Sequence, residues 1–66
     1  MTPADFTAWV ALMKERGHSE RNLVAMLGTG SNQITRWRRN GAPRYIGFAC
    51  SAIEAGLVEW RHRKVA

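Results

Sequence analysis

An all-α fold, a compact bundle of four to five short helices, is what this sequence predicts, and three observations carry that prediction. Gly17, Gly28, Gly41 and Gly56 each follow a segment whose apolar residues recur at helical spacing, where a left-handed cap residue belongs. No segment shows the apolar–polar alternation of a half-buried strand. The chain has 66 residues and a mass of 7.4 kDa, with 45% apolar residues and three tryptophans. A chain of that size supports one modest core, hence a single domain over residues 1–66.

Thr2 reads as the N-cap of the first helix, with Pro3 at its first position and Asp5 in its first turn. Phe6, Trp9, Val10 and Met13 then fall on one face, which predicts a helix over about 3–16. Ser19 caps the second helix, about 19–27, whose stripe is Leu23, Val24 and Leu27. After the short link Thr29-Gly30, a third helix is expected over about 31–39 with only Ile34 and Trp37 apolar. Gly41-Ala42-Pro43 is a turn, and Pro43 opens a fourth helix with Ile46, Ala49, Cys50 and Ile53 turned inward. A fifth, shorter helix is expected from about Leu57 to Arg63.

Charge divides the chain. In residues 1–30, Lys14, Arg16 and Arg21 balance Asp5, Glu15 and Glu20; in 31–66, seven cations face Glu54 and Glu59, so the whole net charge of +5 lies there. Arg36, Arg38, Arg39 and Arg44 fall within nine residues with no acid between them. Such a patch suits a polyanion, of which nucleic acid is the commonest, although a solvated face would read the same way. The lone Cys50 excludes an internal disulfide framework and a cysteine-based zinc cluster, and His18 and His62 make no ligand pair. No metal or other cofactor is expected. No stretch approaches the ~20 apolar residues of a membrane span. The first residues carry an acid and no basic region, unlike a signal peptide, so a cytoplasmic, nucleoid-associated location is the expectation. No Ser-His-acid set, carboxylate pair or phosphate loop can be assembled, which argues against an enzyme.

The third helix is the anomaly. Apart from Ile34 and Trp37, it consists of Ser31, Asn32, Gln33, Thr35, Arg36, Arg38 and Arg39, all hydrogen-bonding or cationic. A helix selected for solubility would mix Glu with Lys for i,i+4 pairs. This one holds no acid and uses Asn, Gln and Thr, and Asn and Thr are poor helix formers. Those side chains suit base edges: Asn and Gln pair bidentately with adenine, Arg with guanine, and Ser or Thr with either.

The stretch SERNLVAMLGTGSNQITRWRRNG, from Ser19 to Gly41, resembles the helix-turn-helix of the Cro and lambda-repressor (XRE-like) family of bacterial and phage regulators. The family pattern, roughly S-Q-x-x-L-A-x-x-L-G-x-x-x-x-x-I-x-x-W-x-x-G, is met at Ser19, Leu23, Leu27, Gly28, Ile34 and Trp37. One helix before the motif and two after it also fit, so the resemblance covers most of the chain. Four departures stand out. Val24 occupies the place of an alanine, and Glu20 that of a glutamine that donates to a phosphate; the acid needs Arg16 or Arg21 to neutralise it. Gly30 replaces a polar N-cap, leaving Ser31 as the expected cap. The loop after Trp37 is one residue longer, which puts Asn40 in question.

The resemblance implies base reading by Ser31, Asn32, Thr35 and Arg36, with Asn32 and Arg36 foremost. Ser31 could instead serve only as a cap, and Thr35 could touch a phosphate or a methyl group. Gln33, Arg38, Arg39, Arg44 and Tyr45 are the expected DNA-backbone contacts. Arg38 has a solvated spacer as its alternative, and Tyr45 a place at the core's edge. Trp9, Phe6 and Trp37 read as core, and Cys50 as a small buried hydrophobe. His18 reads as a turn residue, and His62 as part of the basic tail.

One such helix reads only four or five base pairs, and the family's solution is a two-fold dimer on an inverted repeat with reading helices about 34 Å apart. Leu57, Val58 and Trp60 are the candidate homodimer interface, within a segment 57–66 that ends in a basic tail; packing of Trp60 against the first helix is the alternative. The expected partners are operator or promoter double-stranded DNA and a second copy of the chain, with no membrane and no small-molecule effector. The resemblance further suggests an autoregulatory repressor of phage, prophage or anti-CRISPR-associated type. An antitoxin-like protein that binds a protein partner as well as promoter DNA is the rival. A membrane-active cationic helix is a weaker one, because the third helix lacks an apolar face.

Overall fold

The computed structural model describes residues 1–62, and in them four helices follow one another through short turns. They are α1 (Pro3–Glu15), α2 (Glu20–Leu27), α3 (Ser31–Asn40) and α4 (Arg44–Glu54). The architecture is all-α, and the helix limits lie within about a residue of those the sequence predicts.

Local chemistry accounts for the first two helix starts. The Thr2 hydroxyl accepts from the Asp5 N–H at 3.1 Å, and the Thr2 N–H donates back to the Asp5 carboxylate at 3.1 Å. The bond from the Thr2 N–H, with the Thr2 side chain beside it, holds the Asp5 carboxyl below its ordinary pKa. Ser19 and Asn22 form the same reciprocal arrangement at the head of α2. α3 differs: Gly30 is its N-cap and supplies no side-chain bond. Ser31 is therefore the first helical residue and not the cap, which corrects the sequence-based expectation. The chain is still extended at Gly30, with φ −96° and ψ 159°, and turns helical at Ser31, one residue earlier than a Ser31 cap would allow.

The helices meet in one core. Phe6, Val10 and Met13 of α1, Leu23 of α2, Ile34 of α3 and Cys50 of α4 are almost wholly buried. The Phe6 ring meets Trp37 edge-on, with centroids 5.6 Å apart and planes at 78°, and lies 6.0 Å from Trp9. The Trp9 indole N–H donates to the Cys50 carbonyl at 3.1 Å, so the one polar atom of that buried ring is satisfied. Val24, Leu27 and Ile53 pack partly buried around this centre.

Ala42 is also buried, in the turn between α3 and α4. Its N–H donates to the Met1 carbonyl at 3.0 Å and its carbonyl accepts from the Met1 nitrogen at 3.1 Å. This backbone pair explains Gly41, which stands at φ +91° and where a Cβ would come within 2.7 Å of the Met1 oxygen.

The fifth helix is absent from the described residues. α4 ends at Glu54, Gly56 turns the chain at φ +75°, and the Leu57 N–H folds back to the Ala52 carbonyl at 2.9 Å. Residues 57–62 are non-helical and exposed; residues 63–66 lie outside the described residues. The physical reason is shallow burial: Leu57 is 67% exposed, and Val58 and Trp60 are each 82% exposed. A stretch of six or seven residues does not hold a helix without tertiary packing. The alternative place for Trp60, against α1, is excluded by the same exposure.

Candidate nucleic-acid interface

Three residues, Gly28 to Gly30, separate α2 from α3. Gly28 caps α2 in the left-handed region at φ +67°, and its N–H donates to the Ala25 carbonyl at 3.2 Å. A Cβ there would meet nothing within 4 Å, so the demand for glycine comes from the backbone conformation alone. The following Thr29 N–H reaches the Val24 carbonyl at 3.1 Å, which satisfies a further end carbonyl of α2. Leu23 and Ile34, both fully buried in the shared core, seat α3 on α2.

With Ile34 and Trp37 turned inward, helical periodicity sends the other side chains of α3 outward. Asn32 and Arg39 stand opposite the buried stripe, with Thr35 and Arg36 on its two sides. Ser31, Asn32, Thr35, Arg36 and Arg39 are all exposed, whereas Gln33 is half-buried on one flank of the stripe. Arg39 thus shares the face of the expected base readers, a placement that its assignment to the DNA backbone did not foresee. Arg38 and Arg39 also lie in the last turn, where cations suit the negative end of the helix dipole.

Arg38 is engaged within the domain. Its Nη1 lies 3.1 Å from Oε1 of Glu20, whose other oxygen is 3.9 Å from Lys14 Nζ. Glu20 is therefore neutralised by Lys14 and Arg38, not by the expected Arg16 or Arg21. Arg16 instead donates to the Glu54 carbonyl at 3.0 Å, near the end of α4. Arg21, which follows Glu20 directly, points outward and exposed.

The first turn of α4 adds Arg44 and Tyr45, both exposed. Tyr45 is 69% exposed, which removes its alternative place at the core's edge. The Arg44 guanidinium lies 5.7 Å from the centroid of the Phe48 ring, itself largely exposed. Phe48 was missed by the sequence reading; its i+4 spacing from Arg44 was the available signal. Leu57, Val58 and Trp60 are not brought to this face. Leu57 and Val58 instead border an open cleft with Met26, Ala52 and Ile53, between α2 and the end of α4.

Among the described residues no side-chain cluster could hold a metal ion, and no helix is long and apolar enough to cross a membrane. Comparison with family models, with curated proteins and with solved structures returns no match.

Proposed function

We propose that this protein is a sequence-specific binder of double-stranded DNA, of the helix-turn-helix kind that the Ser19–Gly41 stretch resembles. One observation carries the reading: the exposed face of α3 presents Asn32, Thr35, Arg36 and Arg39 without an acid, on a helix seated by a three-residue turn. In this reading α3 enters the major groove, where Asn32 pairs with adenine and Arg36 with guanine. Ser31 and Thr35 add shorter contacts. Arg39, Arg44, Tyr45 and Gln33 hold the phosphate backbone and set the register.

Two copies on an inverted repeat extend the site, with Leu57, Val58 and Trp60 as the homodimer seam. The protein then acts as a repressor by occupying its operator, and controls its own gene. A gel-shift titration on DNA from upstream of that gene, with scrambled competitor at ~150 mM salt, tests this. A discrete shift that survives the competitor supports the reading; a smear lost to competitor removes its sequence specificity. The exposure of Leu57, Val58 and Trp60 also favours a second reading, an antitoxin-like protein with another protein as partner. A stable complex with a non-nucleic-acid partner, and no dimer by light scattering, would replace the homodimer with it.

A further inference from the structure

Of the three arginines of α3, Arg38 is the one whose guanidinium meets a carboxylate among the described residues. The partner, Glu20, is the first residue of α2, and Lys14 of α1 approaches its second oxygen at 3.9 Å. Lys14 and Arg38 thus approach the Glu20 carboxylate from two helices, the shorter contact being the one to Arg38. The ion pair is formally neutral. A phosphate approaching this flank of α3 must break the pair, leaving an acid beside the DNA, or accept a cation whose charge is already spent.

We propose that Glu20 withholds Arg38 from the phosphate backbone and so sets the sequence-independent DNA affinity of this face below what its arginines would otherwise reach. The proposal rests on the DNA-binding reading above and names an affinity-setting residue outside the base-reading face. It also gives Glu20 a role opposite to that of a phosphate-donating residue at the same place: the acid subtracts a contact.

The test needs no knowledge of the operator. Wild type, Glu20→Gln, Arg38→Ala and the double variant are titrated onto a fluorescent random-sequence duplex between 50 and 200 mM salt, by anisotropy. Circular dichroism first establishes that each is folded, as expected for side chains exposed by 42% and 34%. Each phosphate contact adds about 0.9 to the slope of log affinity against log salt. Glu20→Gln should steepen the slope by about that amount, and adding Arg38→Ala should return it to the wild-type value. Arg38→Ala alone should change the wild-type slope by less than about a third of one contact. A slope that Arg38→Ala lowers equally with and without Glu20 overturns the withholding role while leaving DNA binding intact. Failure of every variant to bind any duplex overturns the DNA-binding reading, and the role of Glu20 with it.

Discussion

Arg36 and Arg39 stand one turn apart on α3 and carry different expectations. Arg36→Ala is predicted to weaken specific binding by ~1–3 kcal/mol and to relax one position of the site. Arg39→Ala should weaken operator and random DNA alike and flatten the salt dependence by about one contact. Equal losses on both DNAs for Arg36→Ala would remove its reading role, and a selective loss for Arg39→Ala would promote that residue to reader. Cys50 makes a prediction of another kind. Burial pushes its thiol from 9.0 up to about 11, so it is protonated and unreactive at neutral pH. Iodoacetamide should label it slowly in the native protein and rapidly in urea. Its folded pKa exceeds its unfolded one, so folding stability should fall as pH rises from 9 toward 11. A stability curve that is level across that window would contradict the shift.

At the scale of the element, α3 starts without a side-chain cap, as α4 does behind Pro43. α1 and α2 both begin with reciprocal side-chain caps, whereas Gly30 caps α3 with backbone alone. Gly30 holds an extended conformation at φ −96°, open to any residue, and nothing lies within 4 Å of a Cβ there. Gly30→Ser should therefore stabilise the domain by roughly 0.5–1 kcal/mol, through a cap bond and a less flexible unfolded chain. Urea denaturation would show it as a higher midpoint at constant slope. An unchanged or lower midpoint would mean that the serine hydroxyl fails to reach the α3 N–H groups.

For the whole molecule, the question is what Leu57, Val58 and Trp60 are for. They are exposed and non-helical, beyond the last packed helix. Trp60→Ala should leave the melting temperature of the monomer, measured at low concentration, within about a degree, because so exposed a ring contributes little to the core. The same change should shift the monomer–dimer equilibrium toward monomer in analytical ultracentrifugation. A lower monomer melting temperature would show that Trp60 packs within its own chain; an unaltered equilibrium would take it out of the seam.

The sequence by itself determined the four helices, their limits and most of their inward residues. Those features rest on local rules: Thr2 and Ser19 as caps, Gly28 and Gly41 as left-handed stops, and stripes such as Phe6–Trp9–Val10–Met13 that repeat at the helical period. It likewise determined which side chains of α3 face outward, because Ile34 and Trp37 leave no other orientation. Tertiary structure alone decided that Glu20 meets Lys14 and Arg38, that Met1 pairs with Ala42, and that Arg16 reaches Glu54. These partners come from different helices, and their distances depend on how α1, α2, α3 and α4 pack, which no spacing along the chain encodes. It also decided against a fifth helix within the described residues: Leu57, Val58 and Trp60 are apolar but stay largely exposed, and so short a stretch holds no helix without deeper burial.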